Sequence, residues 1–228
     1  MTTAIDADEV LSQVLELYQS CSSYLDSGEA LCEMGSLEFK TWFCRPNKFR
    51  FEWSSKVFGA VRSGVLFSES DSKSTSFDGK NHEDAGRLAL AIAGATGTSL
   101  GVAPLVAHLL MPNLFEAGKY QSLVSLRPYK LIEDSDSYIK IQADWRTNCW
   151  TALCVDKKRF AISKIEIGFT PTLEEKEKGI EAMELPEGPE LDEVRALLLV
   201  EESPQPTVIS YKVMQFDVSI SPQLFQEL

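Results

Sequence analysis

Between Leu37 and Trp53 the odd positions, apart from Asn47, are Leu37, Phe39, Thr41, Phe43, Arg45, Phe49, Phe51 and Trp53, while Glu38, Lys40, Cys44, Lys48, Arg50 and Glu52 make the even positions mostly polar. Side chains of a strand point alternately to its two faces. The pattern therefore predicts two antiparallel strands joined near Pro46-Asn47, aromatic on one side and solvated on the other. One charge, Arg45, lies on the apolar side. A guanidinium does not shed its charge, so on such a wall it needs carboxylate or carbonyl partners. That makes Arg45 a candidate latch or ligand contact.

The elements around this hairpin follow from local signals. Asp6, with Glu9 three residues on, reads as a helix N-cap, and Val10, Val14, Leu17 and Cys21 recur at helical spacing, so a helix is expected over 6–21. Residues 28–77 read as strands and hairpins, with Ala60 to Phe67 a third strand, 68–76 a polar edge strand or loop, and Asp78-Gly79 a tight turn. No residue between Arg87 and Glu116 is formally charged, and the run from Leu88 to Leu110 has the length of a membrane span. Gly94, Gly97, Thr98, Ser99, Gly101 and Pro104 interrupt it, so two short helices are expected instead, about 83–95 and 101–111. Helices apolar nearly all round must be covered on several sides, either as a lid over an apolar concavity or as plain core.

The second half returns to strand pattern over Ser122 to Ile132, Tyr138 to Trp145, Cys149 to Val155 and Phe160 to Phe169. In the last of these Ser163, Ile165, Ile167 and Phe169 form the apolar face. Residues 170–206, rich in Glu, Pro and Lys, suggest short helices around 172–183 and 190–200, with a solvated face or a partner-docking surface. Val208 to Ile220 closes the chain as a strand. With 228 residues, 44% of them hydrophobic, the chain can bury the core of one all-β or α+β domain.

The charge of -12 argues against nucleic acid, whose phosphates call for a basic stripe. The five cysteines follow no zinc, haem or thioredoxin spacing, and most read as small core residues. With only His82 and His108 a histidine-rich metal centre is excluded. Gly97-Thr98-Ser99-Leu100-Gly101 fits a nucleophile elbow, but no carboxylate lies between Ser99 and His108, so a Ser-Asp-His order cannot be assembled. Acid pairs such as Asp134 with Asp136, or Glu174 with Glu175, lie in polar runs where little would shift their pKa values. No phosphate-binding loop or dinucleotide fingerprint appears. No basic and apolar signal segment precedes the first helix, so the expectation is a cytoplasmic chain, or a periplasmic or cell-envelope one whose export signal has been removed.

The order of N-terminal helix, Phe43-Cys44-Arg45-Pro46-Asn47-Lys48-Phe49-Arg50-Phe51-Glu52-Trp53 and Asp78-Gly79-Lys80 resembles the bacterial outer-membrane lipoprotein carriers and sorting proteins, LolA and LolB and their relatives. Trp150 to Asp156 with Ile162 to Glu166 is similar to a later hairpin of that family, and Tyr211 to Phe225 to its closing strand. The resemblance implies an α+β fold, mainly antiparallel, in which a single domain over 1–228 forms an unclosed half β-barrel whose concave apolar face is covered by helices. It implies non-catalytic binding of a lipid or a lipoprotein acyl chain. Possible partners would be membrane-anchored donor or acceptor proteins, and no cofactor is implied. On that reading Phe39, Phe43, Phe49, Phe51 and Trp53 form the wall, Leu88, Ile92, Val106, Leu109 and Leu110 the lid, and Arg45 the tie between them. An interaction or structural module of the same fold without a ligand cavity is the alternative, and a hydrolase using Ser99 a third reading.

Overall fold

The computed structural model describes residues 6–57, 60–69, 73–77, 81–83, 88–96, 98–114, 123, 126–146, 148–169, 172, 174, 177–178 and 205–226. Helix α1 (Ala7–Ser20) starts at Asp6, whose Oδ1 accepts the Asp8 amide at 3.1 Å, and it buries Val10, Leu11, Val14 and Tyr18 as one stripe. Strands β1 (Ser23–Cys32), β2 (Gly35–Cys44), β3 (Lys48–Val57), β4 (Ala60–Ser68), β5 (Lys73–Phe77) and β6 (Asn81–Glu83) follow as an antiparallel meander. Next come α2 (Leu88–Ala95), α3 (Val102–Leu110) and the strands β7 (Lys130–Asp134), β8 (Tyr138–Arg146), β9 (Cys149–Asp156), β10 (Ile162–Phe169) and β11 (Thr207–Phe216).

These strands form one sheet in the order β6-β5-β4-β3-β2-β1-β11-β10-β9-β8-β7. Among the described residues β6 and β7 stay unpaired on their outer sides, so the sheet is an unclosed antiparallel half-barrel. The helices lie within its curve: α1 meets α3 and β7, and α2 meets α3, β4 and β5. One buried cluster takes in the inner faces of the strands together with α1, α2 and α3. The two faces separate by parity as the alternation requires. Phe43 faces Phe49, Thr41 faces Phe51 and Phe39 faces Trp53 on the inside, while Trp42, Arg50 and Phe67 lie in register on the outside. There Arg50 bonds Glu52 at 2.7 Å and the Leu224 carbonyl at 3.0 Å, holding the short 3-10 turn Pro222–Phe225 on the convex face.

Several boundaries differ from the sequence reading. The expected strand Ser122 to Ile132 begins only at Lys130: Pro128 has no amide to give a ladder, and the Tyr129 hydroxyl donates to Leu123 O at 2.9 Å, closing a loop. Glu83, expected to open the first lid helix, instead ends β6, which pairs with β5, and α2 begins at Leu88. Phe160 is not in a strand. It closes the preceding turn with φ +54 and an amide bond to Asp156 O at 2.8 Å, so β10 begins at Ile162. Phe169, expected on the apolar face, ends its strand at the rim and is 45% exposed. The final strand stops at Phe216 because Asp217 turns with φ +55 and accepts the Ser22 amide at 2.7 Å. The helices expected within 170–206 lie largely outside the described residues.

Candidate functional site

The concave wall is built across β1, β2, β3 and β4. Tyr24, Asp26, Gly28 and Ala30 of β1 face Phe43, Thr41, Phe39 and Leu37 of β2, and Phe49, Phe51 and Trp53 of β3 face Ser68, Leu66 and Gly64 of β4. Rings stack along it: Phe51 lies 5.5 Å from Trp53 and 6.2 Å from Phe39, and Tyr211 of β11 meets Phe39 edge-on at 5.6 Å. Leu88 and Ile92 of α2 and Val106, Leu109 and Leu110 of α3 are buried in the same cluster as the five wall aromatics Phe39, Phe43, Phe49, Phe51 and Trp53. The chain break between the two helices is shaped by Gly101, whose φ of +79 sets the entry to α3, and by Ser99, whose Oγ accepts the Ala103 amide at 3.2 Å. Ser99 follows a helix, not the strand that a nucleophile elbow needs, and its hydroxyl accepts an amide from the first turn of α3. Among the described residues no helix is long and apolar enough to cross a membrane, which leaves strands unaddressed.

Arg45 sits where wall and cover meet, at the tip of the β2–β3 hairpin. Its Nε donates to Cys21 O at 2.9 Å, Nη2 to Tyr18 O at 3.0 Å and Gln19 O at 2.6 Å, and Nη1 to Leu110 O at 2.9 Å. The guanidinium also lies 5.1 Å over the Phe43 ring. Of the two partner types the sequence allowed, the structure uses carbonyls. These are orphan acceptors at the C-terminal ends of α1 and α3, and the partial negative charge there favours a cation. One side chain thus joins the hairpin to two helices. A cleft of about 260 Å³ opens at this seam, between Arg45-Pro46-Asn47 and the stretch Met111 to Leu114.

Two ionisable groups in this region are buried, Asp26, which the sequence reading did not single out, and His108, which it weighed only as a metal ligand or triad member. Asp26, 1% exposed, lies in the middle of the inner face of β1. Burial pushes its carboxyl up to about 7, against a smaller downward pull from neighbouring Thr41 and Tyr24. The signal was available in the alternation Tyr24, Asp26, Gly28, Ala30, but Gly and Ala mark an apolar face weakly. His108 of α3 is 3% exposed, and burial lowers its pKa to about 4. A base with a depressed pKa stabilises the fold in its neutral form, so that contribution is lost as pH falls from about 6.5 toward 4. Urea unfolding at neutral pH and near pH 4.5 should show this acid loss in the parent chain relative to His108→Gln, at most on the order of 3 kcal/mol; the comparison between the two chains removes the opposite gain from Asp26, whose raised pKa stabilises the fold as pH falls. An equal acid loss in the variant would assign it elsewhere. All five cysteines are free.

No family model and no curated protein matches the chain by sequence. Solved structures similar to it include a chain of the Pseudomonas aeruginosa MucA/MucB complex, at 13% identity and a TM-score of 0.41, covering 98% of this chain and 61% of that one. A LolA superfamily protein from Nitrosomonas europaea is similar at 9% identity and a TM-score of 0.34, covering 98% and 99%. A Vibrio parahaemolyticus domain described as outer-membrane lipoprotein-sorting is similar at 7% identity and a TM-score of 0.37, covering 95% and 94%. The LolA-type proteins are the group that the sequence resembles. The chain spans between 60% and 62% of the length of the MucB-type chains it matches.

Proposed function

We propose that the protein binds a single acyl chain, of a lipid or of a lipoprotein, between the aromatic wall of β1 to β4 and the cover formed by α2 and α3, without catalysis. The observation that carries this reading is the way α3 is held at the seam. Arg45 of the hairpin donates a charge-assisted bond to Leu110 O at the end of α3, and the wall and the cover bury apolar side chains against each other. An acyl chain entering there would exchange helix-to-wall burial for chain-to-wall burial. The term left over is the tie itself, about 1.5–3 kcal/mol, which two to four buried methylenes at about 0.8 kcal/mol each would match. The balance between the covered and the loaded state is therefore close enough to be reversible. Donor or acceptor partners and an address in the cell envelope belong to the same proposal.

The Arg45→Leu variant tests it. The tie operates when the cover is down, so its loss removes an interaction that competes with loading. The variant is expected to fold and to retain a fluorescent fatty acid about tenfold more tightly than the parent chain, or more. Unchanged uptake and release would remove the latch. Native mass spectrometry of freshly purified protein is the companion measurement. A bare-chain mass together with no probe uptake would favour the interaction module, in which helices and wall simply complete each other's core.

A further inference from the structure

Helix α1 is seated on the sheet by its last turn, and an acid lies beneath that seat. The Tyr18 ring packs 5.4 Å from Tyr24 and 5.1 Å from Phe216, its hydroxyl accepts the Ile162 amide at 3.4 Å, and its carbonyl is one of the four that Arg45 holds. Tyr24 Oη donates to Asp26 Oδ2 at 2.9 Å. The other carboxyl oxygen, Oδ1, is buried, as is the hydroxyl of Thr41, the residue directly across the β1–β2 ladder. The Thr41 and Tyr24 hydroxyls can both donate to this carboxyl and favour its ionised form, but at 1% exposure the burial of the charge outweighs them and favours the proton. Among the described residues no cation stands beside a carboxylate anion in this ring of Tyr18, Tyr24, Tyr211 and Phe216.

We propose that Asp26 is a proton-operated seat for α1: protonated, it lets the last turn of the helix close on the wall, and ionised, it loosens that turn and with it the carbonyls bound by Arg45. The groups facing Asp26 are Tyr24 of β1, Thr41 of β2, Tyr211 and Met214 of β11 and Tyr18 of α1. Burial holds all three tyrosines above their ordinary range, and it raises the nearby Cys21 thiol as well, so none of these titrates near neutrality. His108 acts only on the acid side. The carboxyl keeps its proton to higher pH folded than unfolded. Its stabilising contribution is therefore complete below the ordinary carboxylate range and is lost as pH rises through about 7. The gate opens upward in pH, and it concerns α1 whether or not the protein carries a ligand.

Hydrogen exchange of the amides in the last turn of α1, corrected for intrinsic rates and referred to the β2–β3 hairpin, reads the gate between about pH 6 and pH 8.5. Protection of that turn should fall about tenfold over the interval in the parent chain and stay level in Asp26→Asn. Equal behaviour of parent and variant, or no change in the parent, would overturn the proposal. A direct titration of the Asp26 carboxyl carbon by NMR in the unaltered chain covers the case in which the variant does not fold. A midpoint in the ordinary carboxylate range would be equally fatal, and one near neutrality is the expected result.

Discussion

Phe51→Ala is expected to lower the unfolding free energy by about 3–5 kcal/mol, the range for emptying a fully buried aromatic site. Phe51 is 0% exposed, stacks on Phe39 and Trp53, and sits in the middle of the wall between Thr41 and Leu66. Where in the range the value falls is informative. Strand neighbours are fixed by their ladders and cannot collapse into the gap, whereas α2 and α3 meet the wall through apolar contact and can shift without breaking a ladder. A urea midpoint shift near the lower end would mean that the cover follows the wall inward, as a movable lid does. A loss at the upper end would mean that the helices hold their place, and the lid reading would weaken accordingly.

Gly64→Val should lower stability by about 3 kcal/mol, although strand propensity alone predicts a gain. A Cβ built on Gly64 would lie 2.1 Å from Trp53 Cζ2 and 2.5 Å from its Cη2, because the indole lies across the glycine of the neighbouring strand. Either the ring moves or β3 and β4 part locally. Pairing the change with Trp53→Leu gives the deciding measurement. If the ring is what is struck, thermal unfolding of the double variant should show most of the Gly64→Val penalty removed. Simple additivity of the two changes would put the strain in the backbone instead.

The sequence was most readable where one face is uniformly large and apolar. The β2–β3 hairpin follows in register from the alternation of Phe39, Phe43, Phe49, Phe51 and Trp53, and Arg45 stood out because it broke that alternation. The two short helices were legible from the interruptions at Gly94 to Gly101 and Pro104. Asp26 was not legible, since the inner face of β1 also carries Gly28 and Ala30. Gly28 is small because the Phe39 ring and the neighbouring strand lie close: a Cβ there would meet Phe39 Cζ at 2.6 Å. That requirement belongs to the packed sheet and leaves no hydrophobic mark in the chain. The late start of β7 has a similar origin, in a tyrosine hydroxyl that closes a loop. The carbonyl partners of Arg45 come from residues 18–21 and from residue 110, so their convergence on one side chain is visible only once α1 and α3 are in place.

The middle of the sheet joins the two ends of the chain: Tyr24 to Leu31 of β1 pair with Val208 to Phe216 of β11. A chain emerging from a ribosome could assemble the meander from β1 to β6 early, since those contacts are local. The seam between β1 and β11 must wait until β11 has been made. Until then the free edge of β1 is an unpaired strand with an aromatic inner face beside it, the kind of edge that recruits other chains. Closing the seam late also makes it a slow step, because the stretch from Cys32 to Thr207 is the loop that has to be closed. Truncation just before residue 207 should therefore yield aggregation rather than a smaller soluble sheet.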